Sequence, residues 1–111
     1  MATVDECRQA LRDLAAKMAA DPEAAARVNL DRGIACTIKD LGVSFHGRLR
    51  KGTIVDLTDG DDPQAQIRLT TSGDDLVALI DGRLNFAAAW ASGRVSVKAS
   101  FGDLLKLRKL L

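Results

Sequence analysis

The sequence is poor in the residues that usually carry catalysis. It has one histidine and no tyrosine among 111 residues. It also has no nucleophile elbow, no glycine-rich phosphate loop and no carboxylate pair beyond aspartates that suit helix caps and turns. The acidic segment at 58–63 lacks the glutamate that would complete a calcium loop. We therefore expect no catalytic residue, no metal site and no cofactor, and we expect that the protein is not an enzyme.

Cysteine is nearly absent as well. Cys7 and Cys36 are the only two in the chain. They are too few for a disulfide framework, and their spacing does not match a metal-binding motif. Because a free cysteine behaves as a small hydrophobic residue, we expect both thiols to be buried.

Long apolar runs and a strong net charge are also missing. Nowhere do the roughly 18 consecutive apolar residues of a membrane-spanning helix occur, and the segment Met1–Ala10 has no apolar core of a signal peptide. These absences predict a cytoplasmic protein. The formal net charge of +1 gives no overall attraction for nucleic acid, so we expect no nucleic-acid partner.

The residues that are present predict one domain over 1–111, since 47% are hydrophobic and 28% charged. A helix is predicted from Thr3 to Ala20 by apolar residues at spacings of three and four: Val4, Cys7, Leu11, Leu14 and Met18. This stripe would either pack on a sheet of the same chain or form a short coiled-coil seam. Asp21 and Pro22 predict the start of a second helix, Glu23–Val28.

After Gly33 the apolar period changes to two. Alternation predicts strands at about 34–39, 43–50, 53–58, 66–70 and 94–99. It places Val55 and Leu57 on one face of the third strand. Because each strand has one polar and one apolar side, the sheet should be buried on one face only, with every helix on that face.

Three polar residues predict helix starts in the last third of the chain. Ser72 caps a helix that ends at Gly82, Asn85 caps a helix through Ser92, and Ser100 caps the last helix.

Four segments of this last third resemble one known family. They are Gly82-Arg83-Leu84, the aromatic helix from Phe86 to Trp90, the strand Gly93–Lys98, and Leu104–Leu107. Together they are similar to the end of the sterol carrier protein-2 (sterol-binding domain) family. One position departs from the family pattern, because Ala99 stands where the family usually has glycine.

The resemblance implies an α+β fold in two layers: a five-stranded mixed β-sheet with α-helices covering one face. It also implies an apolar cavity between the layers that holds a fatty acyl chain, an acyl-CoA or a sterol. The expected function is intracellular lipid binding or lipid transfer. The alternative is a non-catalytic interaction subunit or accessory domain that docks onto a lipid-metabolising enzyme. A transient contact with a membrane surface also remains open.

We expect the ligand to be lined by apolar residues of the sheet and of the later helices. For each of them, ordinary dry core is the competing interpretation. The predicted lipid-binding residues are Phe45, Leu57, Ile67, Leu69, Leu76, Ile80, Phe86, Trp90, Leu104, Leu105 and Leu107.

The polar side of the strands carries an excess of basic residues. They either form a face that binds an anionic partner or lie solvated in salt bridges. These residues are His46, Arg48, Arg50, Arg68, Arg94 and Lys98.

Overall fold

The computed structural model describes residues 1–21, 23 and 30–108 of the chain. Helix α1, Val4–Ala19, begins at a capping box, in which Thr3 accepts a hydrogen bond from the Glu6 N–H and the Glu6 carboxylate accepts one from the Thr3 N–H. The Ala2 N–H donates to the Asp74 carboxylate at 2.5 Å. The predicted first helix is confirmed, and its start is fixed by a distant part of the chain. The predicted second helix falls mostly outside the described residues.

Five strands form one mixed sheet in the order β3-β2-β1-β4-β5. Strand β1 pairs in antiparallel with β2 and in parallel with β4, so the sheet is mixed as the family resemblance implied. The β2–β3 and β4–β5 pairs are antiparallel. The strands are β1 Asp31–Ile38, β2 Val43–Arg50, β3 Thr53–Asp59, β4 Ile67–Thr71 and β5 Ser96–Lys98.

A β-bulge in β3 breaks the alternation that the sequence predicts. The register shifts between His46 and Arg48 of β2, and Asp56 has a φ of 56°. At the bulge, two residues of β3 lie opposite one residue of β2. The side chains on either side of the bulge therefore no longer follow the strict alternation between the two faces of the sheet. Val55 therefore pairs with Arg48, which lies on the polar face, while Leu57 packs against the core. The prediction that Val55 and Leu57 share a face is wrong.

The three later helices begin at the predicted caps. They are α2 Gly73–Ile80, α3 Phe86–Ala91 and α4 Phe101–Arg108. Ser72 accepts from the N–H of the third helical residue of α2, and Asn85 does the same for α3. Ser100 accepts from the Asp103 N–H at 3.2 Å in α4. Each cap satisfies an N–H group that has no partner within the helix.

Two clusters of buried side chains form the core between α1, α2 and the sheet. The larger core cluster consists of Ala2, Cys7, Leu11, Cys36, Ile38, Phe45 and Leu76. The smaller core cluster consists of Leu30, Leu49 and Ile67, and Ala99 packs beside it. Because Cys7 and Leu11 of α1 belong to the same core cluster as residues of β1 and β2, the apolar side of α1 packs on the chain's own sheet.

Salt bridges occupy much of the basic side of the sheet. Arg48 Nε lies 2.5 Å from the Asp31 carboxylate, and this hydrogen bond lowers the pKa of Asp31. Arg68 Nη2 donates to Asp61 at 2.7 Å. His46 Nδ1 donates to the carbonyl of Gly60 at 2.9 Å. Arg48 and Arg68 are therefore salt-bridged, whereas His46 is hydrogen-bonded to a backbone carbonyl.

Candidate functional site

A pocket of about 240 Å³ opens where the start of α1 lies over the end of the β2–β3 pair. Its apolar wall comes from Val4 of α1 and from Val43 and Phe45 of β2. Asp59 and Gly60 form the opposite edge, together with Ser44. The pocket is thus apolar inside and polar at one rim.

The end of the edge strand creates this opening. The register of β2 with β3 ends at the Phe45–Asp59 pair. The Gly60 N–H still donates to the Ser44 carbonyl at 2.8 Å, and Gly60 then leaves the strand with a φ of 110°, a conformation that favours glycine. Val43 lies beyond this point and therefore has no β3 residue beside it.

The polar rim is an ion pair between α1 and β3. Arg8 Nε donates to Asp59 Oδ1 at 3.0 Å and Arg8 Nη2 donates to Asp59 Oδ2 at 2.7 Å. Asp5 accepts a further hydrogen bond from Arg8 Nη1. The bonds from Arg8 lower the pKa of Asp59, and the bonds to Asp59 and then Asp5 raise the pKa of Arg8. Both groups are therefore charged at neutral pH.

The same guanidinium covers the deepest apolar residue of the pocket. Its central carbon lies 5.8 Å from the centroid of the Phe45 ring, within the range of a cation–π contact. The Phe45 residue is only 1% exposed, whereas the Asp59 side chain is 61% exposed. Arg8 therefore contacts both the buried ring of Phe45 and the solvent-exposed carboxylate of Asp59.

Five of the predicted lipid-binding residues lie in or against the larger core cluster. Phe45 lines the pocket, and Leu76 is buried beside it in the same cluster. Leu57, Leu69 and Ile80 are partly buried and pack against that cluster. The structure therefore brings these five together on the helix-covered side of the sheet.

The other predicted residues are placed elsewhere. Ile67 is buried in the smaller core cluster. Phe86 and Trp90 contact each other edge to face, with ring centroids 5.9 Å apart. Leu104 is half-buried, and the side chain of Leu107 lies outside the described residues. Phe86 and Trp90 are not among the residues that line the pocket.

Leu105 lies at the surface rather than in the core. The sequence places it in the ligand site, but the residue is 47% exposed, and Phe101 one turn earlier is 77% exposed. The reason is the orientation of α4. Asp103, on the opposite side of this helix, is 5% exposed and accepts a hydrogen bond from Arg32 Nε of β1 at 3.1 Å. That ion pair holds the Asp103 side toward the sheet, which turns Phe101 and Leu105 outward.

Sequence reasoning missed most of the pocket's lining. Val4 and Val43 belong to predicted elements, but nothing in the alternation marks a position beside the end of a neighbouring strand. Composition predicts a loop for segment 58–63, whereas Asp59 is the last residue of β3. The signal that could have found the rim is the presence of an arginine in the first turns of α1 and an aspartate at a strand end.

The two thiols are buried as expected. Cys36 lies on β1 and Cys7 on α1, and both belong to the larger core cluster. Burial raises the pKa of Cys36 to about 12, and the nearby Cys7 adds to this effect. Burial also raises the pKa of Cys7. At neutral pH these thiols are therefore protonated and act as core side chains.

The sequence matches the profile of a known protein family. The profile of the SCP-2 sterol transfer family matches residues 9–111. The chain belongs to this family. A search of curated proteins finds no match. Among the described residues, every helix is too short or too polar to span a bilayer.

Solved structures of this family share the fold of the SCP-2 chain. The sterol carrier protein domain 2 of Helicoverpa armigera has a TM-score of 0.75 at 20% identity, with 95% of this chain and 84% of that one covered. Sterol carrier protein-2 from Aedes aegypti, solved in complex with the C16 fatty acid palmitate, has a TM-score of 0.67 at 19% identity, with 98% and 94% covered. At these identities the likeness shows the fold alone.

The same fold also occurs inside a larger enzyme. A sec-alkylsulfatase from Pseudomonas sp. has a TM-score of 0.65 at 22% identity, and the match covers 88% of this chain. The chain spans 15% of the length of that enzyme. The sulfatase therefore shows the SCP-2 fold as one part of a longer protein.

Proposed function

We propose that the protein binds the alkyl chain of a lipid and carries it without chemical change. The observation that supports this most is the apolar pocket between α1 and β2, lined by Val4, Val43 and Phe45. The chain's membership of a sterol transfer family supports it further. The expected cytoplasmic location stays a prediction.

The pocket alone is small for a long lipid. Its volume of about 240 Å³ lies below the roughly 300–1,000 Å³ of most small-molecule sites. We propose that the rest of the alkyl chain passes between the layers, beside Leu57, Leu69 and Ile80. These residues are only partly buried, so they retain surface that a ligand can cover. Fatty acid, acyl-CoA and sterol remain the candidate ligands.

Apolar burial supplies enough free energy for such binding. Each methylene moved from water to an apolar site contributes about 0.8 kcal/mol, so ten contribute about 8 kcal/mol. Loss of overall motion and ordering of the alkyl chain offset several kcal/mol of this. We therefore expect dissociation constants in the micromolar range.

Calorimetric titration of delipidated protein with decanoate, palmitate, palmitoyl-CoA and cholesterol tests the proposal. We expect saturable binding of at least one of them, with a negative heat-capacity change because apolar surface is buried. Bovine serum albumin serves as the positive control for ligand delivery. Absence of saturable binding for all four ligands would refute lipid carriage.

The alternative is an accessory domain that docks onto a lipid-metabolising enzyme. The sulfatase that contains this fold gives it some support. Under this alternative the protein would bind no lipid in the titrations above and would form a stable complex with an enzyme. A lipid-loaded monomer would exclude it as the main function.

A further inference from the structure

The ion pair at the pocket rim resembles a carboxylate-binding site that is occupied by the protein's own side chain. Arg8 presents Nε and Nη2 to the two oxygens of Asp59, at 3.0 and 2.7 Å. This two-bond geometry is the one in which a guanidinium recognises any carboxylate. A lipid carboxylate of the same shape can take the place of Asp59.

The position of Arg8 relates this site to the pocket. Its side chain is 25% exposed, and its guanidinium lies over the ring of Phe45, which forms the apolar wall. An alkyl chain inside the pocket would therefore place its polar end near Arg8. A sterol hydroxyl or a thioester carbonyl offers no charge to this cation.

The Asp59 carboxylate is well placed to separate from the Arg8 guanidinium. Its side chain is 61% exposed, so water can solvate the carboxylate once Arg8 no longer binds it. It is the last residue of β3, and Gly60 follows it. Asp5, whose side chain is 90% exposed, is the second acid on Arg8 and is held by one hydrogen bond. When a lipid carboxylate replaces the carboxylate of Asp59, the Arg8 guanidinium remains paired with a negative charge.

We propose that the pocket selects lipids with a free carboxylate, that Arg8 binds this head group, and that Asp59 competes with it for the same two N–H donors. The proposal rests on the proposed function, since it names the head group of the lipid that the pocket takes. The site differs from a simple apolar cavity because it discriminates between an acid and the alcohol of the same chain length.

The test compares decanoate with decan-1-ol, which share the alkyl chain and differ in charge. Calorimetric titrations use the wild-type protein, Arg8→Gln, Asp59→Asn and the control Arg94→Gln. Arg94 is exposed and precedes β5, at the sheet edge opposite β3. Circular dichroism and urea unfolding establish that each variant is folded.

We expect wild-type protein to bind decanoate about tenfold more tightly than decanol, as a charge-assisted hydrogen-bond pair implies. Arg8→Gln should abolish this ratio by weakening decanoate alone. Asp59→Asn should strengthen decanoate binding about threefold and leave decanol unchanged, because the competing charge is removed. Arg94→Gln should change neither ligand.

Loss of the carboxylate site at Arg8 can be distinguished from absence of lipid binding. If both ligands bind but the acid-to-alcohol ratio is one, or does not change in Arg8→Gln, the carboxylate site is wrong and lipid binding stands. If Arg8→Gln does not fold, Asp59→Asn decides, since unchanged or weaker decanoate binding contradicts competition. If neither ligand binds wild-type protein, the lipid site and the carboxylate site are both refuted.

Discussion

Gly47→Ala is expected to destabilise the protein by about 1–3 kcal/mol, although it adds one methyl group. A Cβ atom at this position would lie 2.9 Å from the Val55 carbonyl oxygen, 3.3 Å from Ile54 Cγ2 and 3.4 Å from Leu57 Cα. The nearest contact is with backbone, so it cannot be relieved by turning a side chain. The bulge in β3 would have to move away from β2, which would disturb the pairing that ends at the pocket.

Gly102→Ala is the matched control. Nothing lies within 4 Å of a Cβ at Gly102, which is an exposed residue of helix α4. Alanine is the better helix former, so this variant should be unchanged or up to about 1 kcal/mol more stable. Urea unfolding of both variants provides the measurement. Equal stability of Gly47→Ala and wild type would mean that the bulge does not approach β2 as closely as the structure shows.

The free energy of unfolding should fall steeply at alkaline pH because of Cys36. Its pKa is about 12 in the folded protein, against an ordinary value of 9.0. The unfolded chain therefore releases this proton first, and the stabilisation is complete below about pH 9 and is lost as the pH rises toward 12. Three pKa units correspond to about 4 kcal/mol over the whole window.

Urea unfolding at pH 7.5, 9 and 10.5, in the presence of a phosphine reductant, measures this effect. Wild-type protein should lose about 2 kcal/mol between pH 9 and 10.5 from Cys36 alone. Cys36→Ala should start from a lower stability, because it leaves a small cavity, and should show a smaller slope. The two proteins are compared by the slope of the free energy of unfolding against pH. Cys7 and the lysines are present in both, so a difference in slope comes from Cys36. Identical slopes would show that Cys36 is not buried in the folded state.

The fold was largely predictable because its elements have strong local signals. The caps at Ser72, Asn85 and Ser100 mark helix starts, and alternation marks the strands. The bulge at Asp56 was not predictable, because the alternating pattern assumes that each residue of β3 lies opposite one residue of β2. Its consequence is that Ile54 and Leu57, three residues apart, both pack toward the core.

The site was less predictable than the fold. Periodicity gives the face on which Phe45 lies, but it does not say which elements leave space beside it. The described lining of the pocket comes from the starts of α1 and β2 and the end of β3, rather than from the last third of the chain. The outward orientation of Leu105 depends on the Arg32–Asp103 ion pair, a contact between residues 71 positions apart.

Filling the pocket with a bulky side chain tests whether the lipid binds there. Val43 lines the pocket and Val55 lies on the polar face of the sheet, so Val43→Trp and Val55→Trp make the same change on opposite sides. With both variants shown to be folded, we measure palmitate and decanoate affinity by calorimetry. We expect Val43→Trp to lose affinity by about tenfold or more, since the indole occupies space that the alkyl chain needs, whereas Val55→Trp should bind as wild type does. Wild-type affinity in Val43→Trp would show that the lipid binds elsewhere.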